Sequence, residues 1–519
     1  MINLSLADIA RIVGGRVADA PDENALVTGN VEFDSRKIGP GDLFLALAGA
    51  RVDGHDFAVK ATEQGAVGTL AFREVGVPAV IVPPVPEEER KHDSYALEND
   101  ADGSVAAVLA ALGKLARHVV DTLATPHQAG EETVALTVIG VTGSAGKTST
   151  KDFMATIFRA AGATVAPPGS FNNEIGHPYT ALKCEPVTRY LVAEMSARGL
   201  GHVANLARIA PPKIGVELNV GSAHLGEFGS RETIAQAKGE LVEALPDAAE
   251  GGVAVLNAND DFVMSMSPRT KAGILLYSAL GKKEASYADA TGERVNTSVD
   301  IVATNVSLDE LARPSFDLTI RGEEQGRVQL GVFGEHQVAN CLAAIGAAVA
   351  AGLDSALILG AVASHHNASA HRMDVRTRAD GVTVINDSYN ANPESMRAGL
   401  KALVSMAAGR KGAASWAVLG PMGELGEDEV GSHADLGREL ASLGVDKLVA
   451  VGDNPLSAAM KDAAQRAGVE ARLVADNDAA AAELRERLRP GDVVLVKASN
   501  AFKLWQVAEA LAEAPGASS

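Results

Sequence analysis

The chain has 519 residues, 47% of them apolar and 22% charged, with a formal net charge of −20 and only two cysteines. That length is too great for one core and suits three or four domains at about one per 150 residues. The acidic balance argues against nucleic acid or an anionic membrane as partner, although a local basic pocket for a small anion remains compatible with it; Cys184 and Cys341, without a CxxC or Cys/His cluster, argue against disulfides and structural zinc.

In chain order, the opening MINLSLADIARIVGG is amphipathic, carries Asp8, and lacks the basic start and apolar stretch of a leader. Residues 1–130 alternate short strand-like runs, Asp42–Leu47 and Ala79–Val82, with turn signals such as Gly39-Pro40-Gly41. Pro83–Gly103 is polar, acidic and proline-led, and reads as an exposed loop. Ser104–Leu123 repeats apolar residues at helical spacing and closes the first domain, with ATPHQAGEET (124–133) as a linker. From Val134 the pattern becomes strand–helix alternation, the signature of a parallel α/β sheet, with strands expected at Val134–Thr142, Arg189–Met195, Ile214–Val220 and Gly252–Asn257. Val338–Leu353 is Ala-rich and contains Asn340 and Cys341. It falls short of the roughly 20 residues that span a bilayer, so it reads as a buried helix and the chain as cytosolic, without membrane insertion. A boundary near residue 370 precedes a new series of strands at Val382–Asp387, Ser415–Leu419, Lys447–Gly452 and Val493–Val496. The tail EAPGASS reads as disordered.

The informative stretch is VIGVTGSAGKTST (138–150), an apolar strand, a glycine loop and then a helix with Phe153, Met154, Ile157 and Phe158 on one side. Glycines let backbone N–H groups converge on phosphate oxygens, and the helix N-terminus adds partial positive charge. Gly143, Ser144, Ala145, Gly146, Lys147, Thr148 and Ser149 are therefore expected to cradle a nucleotide, with Lys147 on the β- and γ-phosphates and Thr148 toward Mg²⁺. The competing explanation is a tight glycine turn before a helix. The strict eight-residue motif would need glycine at 141, where Val141 stands, and Gly140 comes one residue early. Mg²⁺ wants oxygen ligands, and RYLVAEMS ends a strand at Glu194, which a helix cap would also explain. His224 follows another strand in IGVELNVGSAHLGEFGS, where a lone histidine is more often structural. Lys238 sits beside the apolar stripe Ile234, Ala237, Leu241, Val242 and Leu245, and the plain expectation is a stem over the core with its amine in solvent.

Together these stretches resemble the Mur ligase family, ATP-dependent amide-forming enzymes of peptidoglycan synthesis. Thr142–Thr148 matches the family's T-G-x-x-G-K-[ST] form, which accounts for the displaced glycine. Glu194, His224 in GSAHLGEFGS and Lys238 in AKGE match, in order, its strand-end Glu, its metal-site His and a Lys carbamylated by CO₂. FGEHQVANCLAA (333–344) resembles the adenine-contacting segment through His336 and Asn340, with Gln337 where the family often has Asn. Arg372 in AHRMDV matches a hinge arginine that reaches the γ-phosphate. The stretch DSRKIGPGDLFLALAGARVDGHDF (34–57) looks like a uridine-nucleotide domain with Ser35 and Arg36 in its motif. GSFNNEIGHPYTAL (169–182) resembles an N-N-x-x-G-x-P substrate loop with Asn172 and Asn173. INDSYNANPESMRAGL (385–400), with Asp387, Tyr389 and Asn390, and GPMGELGEDEVGSH (420–433) resemble the branch that adds D-alanyl-D-alanine. An Asx-type turn would also suit the S-Y-N-A-N-P run. VLVKASNAFKLW departs from the usual K-G-S-R, with Ala498 and Asn500 at the Gly and Arg positions.

The resemblance implies an α/β fold in three domains: a small mixed α/β domain for the UDP-substrate (1–130), a central P-loop parallel α/β ATPase domain (131–370) and a C-terminal Rossmann-like domain for the dipeptide (371–519). It implies a monomer using ATP, two Mg²⁺ and a carbamate on Lys238 to join UDP-N-acetylmuramoyl-tripeptide and D-Ala-D-Ala through an acyl phosphate. Thr148 and Glu194 would hold one Mg²⁺, and His224 and carbamylated Lys238 the other. Another Mur-type ligase or a folylpolyglutamate-type ligase is the alternative within enzymes, and a P-loop switch or regulatory ATPase is the alternative outside them.

Overall fold

The computed structural model describes residues 1–49, 52–89, 97, 100, 102–221, 225–366, 369–423, 425–426 and 428–513. Ser5 and Asp8 form a reciprocal capping box that starts the helix Leu6–Val13, whose buried Leu6, Ile9, Ala10 and Val13 recur at helical spacing. This helix packs against the long helix Ser104–Ala124. Among the described residues, a five-stranded sheet forms the N-terminal unit, in the order Arg16–Ala18, Ala79–Ile81, Gly68–Ala71, Leu43–Leu45, Val31–Glu32. Of the expected exposed loop Pro83–Gly103, residues 90–96, 98–99 and 101 lie outside the described residues, and so does the tail beyond Glu513.

The expected linker 124–133 is not structureless. His127–Ala129 and Glu132–Val134 pair as an antiparallel hairpin turned at Gly130, which has φ +67°. The apolar run expected as a single strand from Val134 therefore divides, and the strand that feeds the glycine loop is β1, Thr137–Thr142. Helix α1 (Lys147–Ala161) follows it, then β2 (Tyr190–Glu194) and β3 (Ile214–Glu217). β1 lies between β2 and β3, parallel to both, so the chain reverses its direction of winding at β1. In open α/β sheets such a switch point opens a crevice at the carboxyl ends of the strands. The register pairs Val141 with Glu194 and Thr142 with Glu217, so a carboxylate ends each strand flanking the loop.

The sheet continues through Val253–Asn257, Gly273–Ser278 and Ile301–Leu308, then turns antiparallel at Pro314–Ile320 and Glu323–Gln329. Strand–helix alternation implies a parallel sheet, and the core of the sheet is parallel; the antiparallel edge is an addition to it. Pro314–Ile320 alternates buried and half-buried residues along its length, as a strand covered on one face does, and it lacks the continuous apolar run of a central strand. Helix α2 (Arg231–Lys238) lies beyond β3. The Ala-rich stretch forms α3 (Gln337–Ala350), whose Val338, Cys341, Leu342 and Ile345 are packed with Phe153, Met154, Ile157 and Phe158 of α1. No helix among the described residues is long and apolar enough to cross a membrane.

The C-terminal unit is a six-stranded sheet in which β4 (Thr383–Asn386) and β5 (Val493–Lys497) are parallel neighbours. The segments that follow these two strands, D-S-Y-N-A-N-P and A-S-N, therefore emerge side by side ahead of helix α4 (Pro393–Ala408). Asp374–Thr377, antiparallel to β4, and Glu470–Val474 complete the sheet at its edges. Both carry too much charge to read as buried strands.

Candidate active site

The glycine loop after β1 is shaped by backbone that only glycine accommodates. Gly146 has φ +88°, and a Cβ there would stand 2.4 Å from Asn340 Oδ1, so α3 presses directly on the loop. Gly143 has φ +154°, and its Cβ would meet Leu218 at 2.7 Å. The early Gly140 has a packing role instead: a side chain there would collide with Leu241, at 2.9 Å. Asn219, just past β3, secures the loop by accepting from Ala145 N–H (2.9 Å) and donating to Ala145 O (3.0 Å). Lys147 folds back to donate to Gly143 O at 2.7 Å, and burial together with the Arg372 charge lowers its pKa.

Thr148 and Glu194 meet as the motif predicts. Thr148 Oγ1 donates to Glu194 Oε2 at 3.0 Å, and Glu194 Oε1 also accepts from Ser170 Oγ (3.0 Å) and Asn172 Nδ2 (2.7 Å). Hydroxyl and carboxylate oxygens gathered at the start of a phosphate-loop helix are the hard donor set that suits Mg²⁺, which takes one or two protein oxygens plus phosphates and water. The helix-cap alternative for Glu194 does not hold, because its carboxylate serves these side chains. His224, expected at a second metal, lies outside the described residues.

Lys238 departs from the plain expectation of an amine in solvent, being 2% exposed at the end of α2. Burial lowers its pKa, the nearby Lys147 lowers it further, and Glu217 opposes both. Glu217 is fully buried, burial raises its pKa, and neither carboxylate oxygen has a hydrogen-bond partner among the described residues. A buried lysine biased toward its neutral amine is the form that CO₂ can carbamylate, so the residue fits that modification.

The third-domain residues face the same space. Arg372 stacks its guanidinium on the Tyr389 ring at 4.2 Å. It is flanked by His371 and Met373, non-glycine residues at φ +60° and +51°. This strained link is held by Met373 N–H on Asp387 Oδ1 (3.1 Å) and Tyr389 N–H on His371 O (3.1 Å). Lys497, 2% exposed, donates to Asp387 Oδ2 (2.6 Å) and Asn390 O (2.8 Å), fixing the loop after β4 from the end of β5. A cavity of about 1220 Å³ is bordered by Ser144–Ser149, Asn172, Glu194, His336, Asn340, Arg372, Asp387, Tyr389 and Asn390. That exceeds the roughly 300–1,000 Å³ of an ordinary small-molecule pocket and leaves room for more than one substrate. Burial lowers the pKa of His336.

Other expected residues stand apart from this cavity. Asn173 is exposed and accepts the Gly176 N–H at 2.9 Å, turning the chain into the helix Gly176–Ala181. Ser35 and Arg36 lie on the N-terminal unit in a short helix capped by Asp34. Arg36 is exposed and bonds Asp34 through Nε and Nη2, both at 2.8 Å, and this holds the Asp34 carboxyl at about 2. The neighbouring Glu32 and Phe33 connect that unit to the substrate loop: Tyr179 OH donates to Glu32 Oε1 at 2.8 Å, and its ring meets Phe33 edge-on at 5.3 Å. Sequence reasoning missed Ser170, Glu217, Asn219 and Lys497, and with them Arg231 and Glu394, which also border the cavity. Lys497 carried a usable signal, an apolar strand ending in a charge, as in Glu194. Ala498 and Asn500 replace the usual Gly and Arg beside it: Ala498 Cβ packs against Gly420, where a Cβ would stand 2.8 Å away, and Asn500 borders the cavity.

Three family models match the chain: Mur ligase family, catalytic domain (28–119), Mur ligase middle domain (141–348) and Mur ligase, glutamate ligase domain (371–500). The chain is 51% identical to UDP-N-acetylmuramoyl-tripeptide–D-alanyl-D-alanine ligase of Mycobacterium tuberculosis, covering 98% of each. It is 30% identical to the Bacillus subtilis enzyme of that name, over 99% of this chain and all of the other. Its fold is similar to a crystal structure of MurF from Acinetobacter baumannii, with a TM-score of 0.78, 26% identity and 99% of each chain covered. It is also similar to MurF ligase from Thermotoga maritima in complex with ADP, with a TM-score of 0.71, 27% identity and 94% and 97% covered.

Proposed function

The chain belongs to the Mur ligase family, and on that premise we infer that it joins D-alanyl-D-alanine to UDP-N-acetylmuramoyl-tripeptide at the expense of ATP, a step of peptidoglycan synthesis. The observation that carries the reading is the shared cavity: the phosphate loop and the D-S-Y-N-A-N-P loop border one space, in a chain half identical to such a ligase end to end.

A carboxylate does not react with an amine, because its oxygen is a poor leaving group. Transfer of the γ-phosphoryl group to the tripeptide carboxylate converts that oxygen into phosphate, which leaves readily, so the reading runs through an acyl phosphate. Such transfer relies on positioning and charge neutralisation. In this reading the N-terminus of α1 and Lys147 hold the β- and γ-phosphates, and Arg372, brought in on the hinge, faces the γ-phosphate. Thr148 and Glu194 would hold one Mg²⁺, and His224 with carbamylated Lys238 a second; bound there, the ions supply charge that draws carboxylate and phosphate together. Ser170 and Asn172 orient Glu194, which ties the nucleotide site to the substrate loop. His336 and Asn340 border the nucleotide, Ser35 and Arg36 take the uridine end, Asn173 stands with Asn172 in the substrate loop, and Asp387, Tyr389 and Asn390 serve the dipeptide or ATP. Unit boundaries near residues 130 and 370 put the site at the clefts, where closure excludes water from the acyl phosphate. In this reading the reaction is a cytoplasmic one, which an ATP-dependent step on a UDP-linked substrate supports.

The test is phosphate release by the purified chain with ATP. Release that needs both UDP-N-acetylmuramoyl-tripeptide and D-Ala-D-Ala, matched by equal pentapeptide, is expected; release that ignores either substrate refutes the reading.

A further inference from the structure

We propose that Glu217 and Thr142 are the positioning residues of the Lys238 carbamate: Glu217 accepts its N–H, and Thr142 donates to one of its oxygens. The proposal rests on the carbamate reading above and adds what holds that group in place. Carbamylation joins the neutral lysine amine to the carbon of CO₂, a C=O π pair moves onto oxygen, and one N–H proton leaves to water. The product keeps one N–H and gains two oxygens, all of which need partners in a buried place.

The strands place both residues under Lys238. Thr142 and Glu217 are register partners on the parallel strands β1 and β3, so their side chains leave the sheet on the same face. Gly140 and Gly215 are paired two residues earlier, on that face too. A Cβ on Gly140 would stand 2.9 Å from Leu241 Cδ1, and one on Gly215 3.2 Å from Leu241 Cγ, so Leu241 seats on the two glycines. Val141 and Val216 point the other way, into the core that holds Phe153 of α1. Gly239 is helical (φ −62°, ψ −9°), so Lys238 lies about one turn before Leu241. β3 and the next strand, Val253–Asn257, are parallel, so the helical segment between them runs back against them and its earlier residues lie nearer the strand ends. One turn spans about 5.4 Å and two strand residues about 6.6 Å, which brings Lys238 over Thr142 and Glu217.

The polar atoms at this spot are unmatched. Glu217 and Thr142 are both fully buried, and neither the two Glu217 carboxylate oxygens nor Thr142 Oγ1 has a hydrogen-bond partner among the described residues. Buried polar groups in folded proteins are nearly always paired, so three unmatched oxygens beside one buried lysine call for an added group with a donor and acceptors. The carbamate has both. Arg269 fixes the helix end that carries the lysine, donating to Ala235 O at 3.1 Å and Gln236 O at 2.7 Å, and Gly239 admits it because a Cβ there would collide with the guanidinium. Arg269 also acts on the Glu217 charge and Lys147 on the Lys238 end, so positive charge offsets the two neighbouring anions.

The test reads the carbamate itself, by ¹³C NMR of the full-length protein under ¹³CO₂ at fixed pH; the signal that Lys238→Ala lacks belongs to Lys238. Glu217→Val is expected to raise the CO₂ concentration for half-occupancy about 10-fold, the worth of one buried hydrogen bond, and Thr142→Val to act in the same direction. Glu217→Gln keeps an acceptor oxygen and should stay within about threefold of the wild type. Urea unfolding without CO₂ checks for a purely structural role: Glu217→Val breaks no hydrogen bond, so its midpoint should hold or rise. Wild-type occupancy in both valine variants, a loss in Glu217→Gln equal to that in Glu217→Val, or a lower midpoint with unchanged occupancy overturns the proposal. Absence of the Lys238 signal from the wild-type protein would instead remove the carbamate reading beneath it.

Discussion

Gly226 and Gly426 meet backbone to backbone across the cleft between the central and C-terminal units. A Cβ on Gly226 would stand 2.4 Å from Gly426 Cα and 2.5 Å from its nitrogen. Carbon atoms settle at roughly 3.5–4.0 Å, so a methyl group at 226 must part the two loops by about 1 Å. Neither neighbour is a side chain able to rotate away, and Gly426 is itself at φ +83°. Locally the same substitution is favourable, since Gly226 lies in the short helix Leu225–Phe228 and alanine in a helix gains about 0.5–1 kcal/mol over glycine. Gly226→Ala therefore separates stability from function. The melting temperature should hold or rise, and ADP affinity should stay unchanged because the phosphate loop belongs to the central unit. kcat/KM for the dipeptide should fall on the order of 10²-fold, the cost of about 1 Å of misplacement in a cleft that positions reactants. Steady-state kinetics with D-Ala-D-Ala varied, alongside thermal melting and ADP titration, reads all three. Wild-type kcat and KM in the variant would refute the idea that this glycine contact governs closure.

Lys238→Ala should abolish turnover, with partial recovery on adding a short carboxylic acid that can stand where the carbamate stood; a fully active variant rules the carbamate out. Lys497→Met should take the cation from the half-buried Asp387 carboxylate, which keeps Met373 N–H, and a donor from the Asn390 carbonyl, costing about 1–3 kcal/mol in urea unfolding; no measurable cost would contradict the pairing. Burial lowers both His177 and His365 to about 4, below the 6.5 of a free imidazole. The unfolded chain then binds more protons than the folded one between those values. The stability conferred by neutral rings is complete above pH 6.5 and is lost as pH falls toward 4, about 2 kcal/mol per ring by pH 5. The urea midpoint should drop between pH 7 and pH 5; an unchanged or higher midpoint contradicts this.

The parts of the site that the sequence made legible are those built within one strand–loop–helix unit. The glycine loop announces itself because its chemistry needs consecutive residues, and Glu194 because a carboxylate at the end of an apolar run is costly without a partner. Lys238 was half legible: its helix stripe placed it beside the core, but its burial comes from α2 packing near Glu217, a residue hidden in the plain-looking strand IGVE. Glu394 and Gly221 were not legible, since one residue's lack of a Cβ matters only once the other domain is folded against it. The parallel core of the central sheet followed from apolar runs, whereas Glu323–Gln329, an edge strand with mostly exposed residues, has no run to find. The linker hairpin was overlooked because three-residue strands carry too little pattern to distinguish them from a polar turn.

The most direct test follows one oxygen atom. The tripeptide, labelled with ¹⁸O in the carboxylate to be activated, is turned over with ATP and D-Ala-D-Ala, and the released inorganic phosphate is analysed by mass. If ATP serves to make that carboxylate oxygen leave, one ¹⁸O per labelled carboxylate consumed at both positions appears in the phosphate and the other stays in the new amide. Phosphate free of ¹⁸O, released alongside pentapeptide, would contradict the account at its centre.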